Sequence, residues 1–265
     1  MTTLQIIILA IIQGLTEFLP ISSSGHLVLI TFLFDWVDQG LLFDVAVHFG
    51  SLLAVGLFFR KDFIALFFGG KRLLNGNIDT PESRLSLFII IGTIPAALLG
   101  FFMFPWIEGN FRDPAIIIFT LSGYGIVMAL VDHFCKSNRN ISSIGLRDAL
   151  IIGCAQALSL IPGTSRSGIT ITAARLMGFK RLEAARFSFL LSAPIILIAV
   201  AYKFFEVLLS DAIVFWNQLI IGILIAFIVA YLSIGVFMRV VSHIGLKPFA
   251  IYRLLLAAYI FYIVY

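Results

Sequence analysis

The chain has 265 residues, of which 61% are hydrophobic and only 12% are charged, and its formal net charge is +4. Because a soluble domain keeps roughly a quarter of its residues charged, this composition excludes an ordinary soluble protein and indicates that most of the surface faces lipid. The positive charge does not indicate nucleic-acid binding, since the Lys and Arg residues lie in short loops between apolar segments and form no basic face.

In chain order, long apolar segments predict six membrane-spanning helices, because a span needs about 20 apolar residues to cross the hydrocarbon core. Four shorter apolar segments form two pairs, 4–34 and 149–178, and each pair is interrupted by a polar stretch with Pro and Gly. Irregular backbone at membrane depth persists only where it is buried in protein or lines a wet cavity. We therefore predict two re-entrant helical hairpins with the polar stretches at their tips. The predicted spans are 43–59, 86–106, 115–134, 187–209, 213–238 and 249–265.

The distribution of basic residues predicts the topology, because cytoplasmic loops are enriched in Lys and Arg. It places segments 60–84 and 136–147 inside and both termini outside. The first hairpin then enters the membrane from outside and the second from inside. All but three of the 18 basic residues lie inside in this arrangement; Arg112 and Lys203 lie outside, and Arg166 lies within the membrane.

A short internal repeat accompanies the two hairpins. The stretch Gln13-Gly-Leu-Thr is echoed 143 residues later by Gln156-Ala-Leu-Ser, and each is followed by Pro and a Ser/Thr cluster that ends in Ser-Gly. Three spans follow each hairpin, and because three is odd the second copy is inverted. We predict an all-α polytopic membrane protein in one domain, with repeats 1–135 and 145–265 and a site where they meet.

The first tip combines acidic, imidazole and hydroxyl groups. Gln13 and Glu17 are four residues apart and share a helix face. An ionisable residue within an apolar segment is costly and suggests a functional site. Glu17 and His26 could share acid–base chemistry or hold a divalent cation. The tip also contains hydroxyls at the start of a predicted helix, which favours an anion. These serines are Ser22, Ser23 and Ser24.

The second tip has the composition of an anion cradle. Glycines and hydroxyls precede a predicted helix, and Arg166 supplies a permanently charged fork that suits phosphate oxygens. We predict that this tip binds phosphate. The other candidate binding residues here are Gly163, Thr164, Ser165, Ser167 and Thr170.

Several of these residues also have purely structural interpretations. Ser, Thr and Gly often serve only helix packing in membranes. Glu17 and Arg166 could form a structural ion pair, and His26 could cap a helix. We interpret His48 as a packing residue and Arg253 as a residue that extends its charge to the inner interface.

The two motifs together resemble the undecaprenyl-diphosphate phosphatase family, also called bacitracin-resistance proteins, over essentially the full length. The resemblance rests on Gln13-Gly-Leu-Thr-Glu17-Phe-Leu-Pro with Ser-Ser-Ser-Gly-His26, and on Pro162-Gly-Thr-Ser-Arg166-Ser-Gly-Ile-Thr170. The segments Phe187–Leu191 and Pro248–Arg253 are also similar to the family. The first acidic position of the family motif is Glu or Gln; here it is Gln13, so one carboxylate rather than two is available.

This resemblance implies hydrolysis of undecaprenyl diphosphate to undecaprenyl phosphate, which recycles the lipid carrier of bacterial cell-wall precursors. It also implies a site open to the outer face of the inner membrane, a divalent cation (Mg or Ca), and a possible homodimer. We expect Arg166 to hold the diphosphate and Glu17 to act as base or cation ligand. The nucleophile could be Ser23 with His26 as its partner, His26 itself, or water. The alternative function is transport of a lipid phosphate through the same groove, alone or in addition to hydrolysis.

Overall fold

The computed structural model describes residues 1–36, 39–111, 113–209 and 214–265. Within these ranges the protein is helical throughout, with a single isolated bridge between Arg139 and Phe179. A short 3-10 turn, Ile141–Ser143, precedes the second hairpin. The α-helices are α1 (Thr3–Thr16), α2 (Ser23–Leu33), α3 (Leu41–Phe58), α4 (Arg60–Leu74), α5 (Pro81–Asn110), α6 (Pro114–Phe134), α7 (Leu146–Leu158), α8 (Arg166–Leu176), α9 (Arg181–Leu208), α10 (Trp216–Ile244) and α11 (Lys247–Val264).

Six of these helices (α3, α5, α6, α9, α10 and α11) are long and apolar enough to cross a membrane. This confirms the predicted all-α, multi-pass architecture. Helix α9 begins at Arg181, six residues before the predicted start at 187, because the charged first turns are held by protein partners. Arg186 pairs with Asp62 on α4. Arg112, and the start of the predicted span at 213, lie outside the described residues.

Helix α4 occupies a segment that we had predicted to be a loop. Its basic residues lie near both ends and resemble loop charges in the sequence, whereas the middle of the helix is amphipathic. One side packs on α5, where a Cβ on Gly69 would come within 2.5 Å of the Glu82 carbonyl oxygen. The opposite side exposes Ile64, Phe67 and Phe68.

Each predicted hairpin consists of two short helices that pack against each other, α1 with α2 and α7 with α8. The second turn is tight: Gly163 has a φ of +84°, and a Cβ there would lie 2.2 Å from the Thr120 hydroxyl. Helix α1 packs along α10, whereas α7 packs along α5. Each hairpin therefore rests on a helix from the other half of the chain, as two related halves would arrange it; the inverted repeat itself stays a prediction.

The buried interior fixes the two tips to each other. Phe18 beside the first tip is fully buried and packs edge-to-face on Phe189 of α9, with ring centroids 5.0 Å apart. The Ser167 hydroxyl of the second tip donates to the Leu19 carbonyl of the first, at 2.9 Å. The tips are thus packed against each other rather than separated by solvent.

Arg253 on α11 is completely buried, so the expectation that it reaches toward the membrane surface is wrong. Its guanidinium donates to four backbone carbonyls at 2.9–3.1 Å. A permanently charged group can be buried in this way because strong acceptors replace its water. The four acceptors, which belong to α6 and to the second tip, are Thr120, Leu121, Gly163 and Thr164.

A second buried cluster joins four helices at the end of the bundle that the charge distribution predicts to lie inside. The Asp132 carboxylate of α6 accepts from Arg175 of α8 at 3.2 Å and from Arg181 of α9 at 2.8 Å. It also accepts from the backbone N–H of Leu246, which precedes α11, at 2.9 Å. One carboxylate thereby ties together the ends of four helices.

Candidate active site

Glu17 lies where α1 ends, and its carboxylate connects the two tips. One oxygen forms an ion pair with Arg166 of the second tip. The other oxygen, Oε2, accepts from the Gln13 amide at 2.8 Å and from the Ser23 hydroxyl at 2.7 Å. Only 6% of Glu17 is exposed, so this carboxylate depends on these donors in place of water.

Both tips line one cavity of about 320 Å³. The structure therefore brings together the two motifs that the sequence separates by more than a hundred residues. The Nη1 group of Arg166 donates to the Ser192 carbonyl at 3.2 Å, whereas Nη2 pairs with Glu17. A guanidinium has five N–H groups, so others remain to meet a ligand. The polar lining includes Glu17, Ser22, Ser23, Ser24, Ser165 and Arg166.

The two tips have the same local backbone conformation. Ser22 and Ser165 both have positive φ, 75° and 68°, which is strained for a residue with a side chain. Each Ser hydroxyl accepts from a glycine N–H three residues on, Gly25 at 3.3 Å and Gly168 at 3.1 Å. Helices α2 and α8 each begin at the following residue. Two helix N-termini, with their partial positive charge, therefore start at the wall of the cavity, which suits an anion.

His48 of α3 is a site residue that sequence reasoning missed. Its Nδ1 donates to the Asp44 carbonyl at 2.7 Å, because a carbonyl can only accept. Its Nε2 lies 3.3 Å from Glu17 Oε2, a distance at which a protonated imidazole forms an ion pair with the carboxylate. His48 also lines the cavity. The available signal was its spacing from Asp44, which alone could not place it against Glu17, 31 residues earlier.

His26 is held differently from the predicted arrangement with Ser23. Its Nδ1 donates to the Ser22 carbonyl at 2.7 Å, and its Nε2 lies 2.6 Å from the Tyr252 hydroxyl of α11. The two rings are stacked, with centroids 5.6 Å apart and an interplanar angle of 3°. Both ring nitrogens therefore have partners other than Ser23, and His26 is absent from the cavity lining.

Five other predicted binding residues lie behind the cavity wall rather than on it. Gln13 donates to Glu17, and Ser167 donates to the first tip. Thr170 bonds the Arg166 carbonyl at 2.8 Å and the Ser188 hydroxyl at 2.6 Å. These contacts position the tips. The remaining two are Gly163 and Thr164, whose carbonyls bond Arg253.

The groups around Glu17 do not form a set of ligands that suits a divalent cation. Mg and Ca prefer several oxygen ligands. Both Glu17 oxygens are already engaged, one of them by the cationic Arg166. Among the described residues, no group of three or more His, Cys, Asp or Glu side chains is placed to bind a metal. We therefore assign no step of the chemistry to such an ion.

Comparison with known proteins places the chain in a family. A sequence model described as bacitracin resistance protein BacA matches residues 6–259. The chain belongs to this family. It is 48% identical over 258 residues to the undecaprenyl-diphosphatase of Hahella chejuensis, with 97% of each chain covered. It is 49% identical over 256 residues to that of Chromohalobacter salexigens, again with 97% of each covered. The corresponding protein of Alteromonas mediterranea is 46% identical over all 265 residues.

Proposed function

We propose that this protein is a phosphatase of the bacterial inner membrane that hydrolyses undecaprenyl diphosphate to undecaprenyl phosphate and inorganic phosphate. Family membership and relatives named undecaprenyl-diphosphatase support the substrate and the reaction. The observation that carries the chemistry is the cavity in which the Ser23 hydroxyl donates to Glu17 beside Arg166. Hydrolysis returns the lipid carrier to cell-wall synthesis.

In the proposed first step, Ser23 Oγ attacks the terminal phosphorus. The bond between that phosphorus and the bridging oxygen breaks, and undecaprenyl phosphate leaves. Glu17, 2.7 Å from the hydroxyl, accepts the serine proton. A hydroxyl needs such a base within hydrogen-bond reach because it is a weak nucleophile at neutral pH. Water then attacks the phosphoserine, which releases inorganic phosphate and restores the hydroxyl.

Charge stabilisation comes from both tips. Arg166 and the N-termini of α2 and α8 surround the cavity with fixed positive charge and N–H donors. Phosphoryl transfer depends mainly on such positioning and electrostatics, since charge is spread over the phosphoryl oxygens in the transition state. In this scheme His48 donates to Glu17 and stabilises it, whereas His26 holds the shape of the first tip.

The orientation belongs to the same proposal. The distribution of Lys and Arg supports an orientation with both termini outside and the site open to the outer face. Neither the described contacts nor the comparisons add an observation in favour of the transport alternative.

The activity is tested with purified protein in detergent, where a membrane has no two sides. Phosphate release from undecaprenyl diphosphate is the expected result, and a transporter without hydrolytic activity would release none. Brief reaction with substrate labelled in the terminal phosphate, followed by a detergent quench at mildly alkaline pH, where phosphoserine and phosphohistidine both survive, and peptide mapping should locate label on Ser23. Label on His26 would contradict the assigned nucleophile. Absence of label throughout, with normal turnover, would favour direct attack by water.

A further inference from the structure

Helix α4 lies beside the ends of two helices that are long and apolar enough to cross a membrane. One residue separates it from the end of α3. Its middle packs on the first turns of α5, where the Ser86 hydroxyl donates to the Leu66 carbonyl at 2.9 Å. Gly69 packs closely on the backbone of Glu82 in the same turns, and the continuous apolar stretch of α5 follows them. Helix α4 therefore lies at the boundary between hydrocarbon and water.

The side of α4 directed away from the protein combines apolar and basic side chains. Ile64, Phe67 and Phe68 are 57%, 61% and 57% exposed. Arg60 and Lys71 are exposed as well, and their spacing of three or four residues from these positions places them on the same helix face. The Lys71 ammonium lies over the Phe67 ring, 4.7 Å from its centroid. Its methylene chain thus follows the apolar surface while its charge stays at the edge.

The charges of α4 are segregated between its two sides. The only acidic residue of the helix, Asp62, pairs with Arg186 of α9 on the side that faces the protein. All four basic residues are exposed instead, and no acid of the same helix neutralises them. The outward side of α4 is therefore cationic as well as apolar. The four basic residues are Arg60, Lys61, Lys71 and Arg72.

We propose that this side of α4 binds anionic phospholipids at the membrane surface. A helix at this depth places its apolar side chains among the upper acyl chains and its basic groups beside the headgroup phosphates. A zwitterionic headgroup carries its own cation next to the phosphate, so four unneutralised basic residues favour an anionic headgroup. None of these residues lines the active-site cavity, and the inference is independent of the proposed function. The α4 lipid face consists of Arg60, Lys61, Ile64, Phe67, Phe68, Lys71 and Arg72.

Lipid binding is measured by native mass spectrometry of the full chain purified in detergent. The probes are dioleoylphosphatidylglycerol and dioleoylphosphatidylcholine, which share their acyl chains and differ in headgroup charge. The wild type should bind the anionic lipid about 10-fold or more tightly than the zwitterionic one, since each basic residue near an anionic lipid contributes roughly 5-fold. The double variant Lys71→Gln with Arg72→Gln should lose most of this preference.

Lys136→Gln with Lys247→Gln is the matched control, because it removes two charges from exposed positions outside α4. It should keep the preference, and so should Lys71→Arg, which keeps the charge on the α4 lipid face. Phe67→Ser with Phe68→Ser keeps every charge and should weaken the binding of both lipids. Gel filtration and thermal unfolding report whether each variant is folded; if this double variant is not, Phe68→Ser alone should give a smaller loss of the same kind.

Three results would overturn the inference. The first is equal affinity of the wild type for the two lipids, and the second is an equal loss of preference in the Lys136 and Lys247 control. The third is unchanged binding in a folded Phe67 and Phe68 variant, which would leave this side of α4 to water or to a protein partner. All three are readouts of lipid binding alone, so they are distinct from failure of the proposed function, in which the wild type would release no phosphate.

Discussion

Tyr252 of α11 lies with its hydroxyl oxygen 2.6 Å from Nε2 of His26 on α2, and the two rings are stacked. The next residue, Arg253, donates to the carbonyls of Gly163 and Thr164 in the second tip. Adjacent side chains of one helix therefore hold both tips. This arrangement makes His26 part of the framework that shapes the first tip, rather than the partner of Ser23.

Replacing Tyr252 with Phe tests this interpretation, because the ring stays while the hydrogen bond to His26 is lost. A neutral hydrogen bond contributes about 1 kcal/mol, so we expect kcat to fall about 3- to 10-fold with little change in KM. Tyr259→Phe, on the exposed side of the same helix, is the control. A loss as large as that of a Glu17 variant would place the phenol in the chemistry instead.

Glu17→Gln and Arg166→Lys should each lower phosphate release about 100-fold or more, because loss of one group aimed at the reacting atoms typically costs that much. Lys keeps the charge of Arg166 but cannot bridge the site and the Ser192 carbonyl with a planar fork. Glu206→Gln and Arg147→Lys are exposed controls. Near-normal turnover in either site variant, measured on folded protein, would reject the assigned site.

Two substitutions separate the hydrogen bond that His48 donates to Glu17 from the space that its ring fills. His48→Ala removes a donor to Glu17 and should lower kcat/KM about 10-fold, as expected for a hydrogen bond to a charged group. His48→Gln keeps an N–H donor and should retain more activity than His48→Ala. His243→Ala, at an exposed position, is the control. Full activity of His48→Ala would show that Glu17 does not need this contact.

The Asp132 cluster predicts a stability effect without a direct catalytic one. Asp132→Asn leaves Arg175, only 2% exposed, and Arg181 without their anionic partner. Removing one member of a buried ion pair typically costs about 3–5 kcal/mol, so the melting temperature in detergent should fall clearly. Asp79→Asn at an exposed position should not lower it. Unchanged melting of the Asp132 variant would contradict the importance of this cluster.

Binding of the cation that the family resemblance implies can be measured in the absence of substrate. Since the Glu17 carboxylate is fully engaged and has no second acid in its contacts, we expect no tight binding of Mg or Ca to the substrate-free protein. Isothermal titration at low ionic strength measures this directly. A stoichiometric site of micromolar affinity would overturn the view that these donors do not fit a cation. Phosphate release with and without a chelator then tests the requirement during turnover.

Much of the architecture was predictable because it depends on local composition. Apolar length alone predicts the six spans, and the Pro- and Gly-containing interruptions predict both hairpins, since backbone polar groups cannot be left unpaired in lipid. Helix α4 was missed because its basic ends resemble a cytoplasmic loop, and only its packing on α5 shows that it is ordered. Glu17 and Arg166 were also predictable as site residues. Burying a charged side chain at membrane depth is costly, so a charged residue there indicates a partner or a function.

The sequence by itself determined the class of protein, the two tip motifs and the complementary charges at them. Only the tertiary structure decided which groups meet. His48 rather than His26 contacts Glu17, and His26 is instead hydrogen-bonded to Tyr252. Arg253 lies buried against the second tip. The reason is physical. Hydrophobicity and charge act residue by residue along the chain, whereas these contacts depend on the rotation and depth of helices far apart in sequence. Between the two tips, those rotations place Ser23, Glu17 and Arg166 around a single cavity.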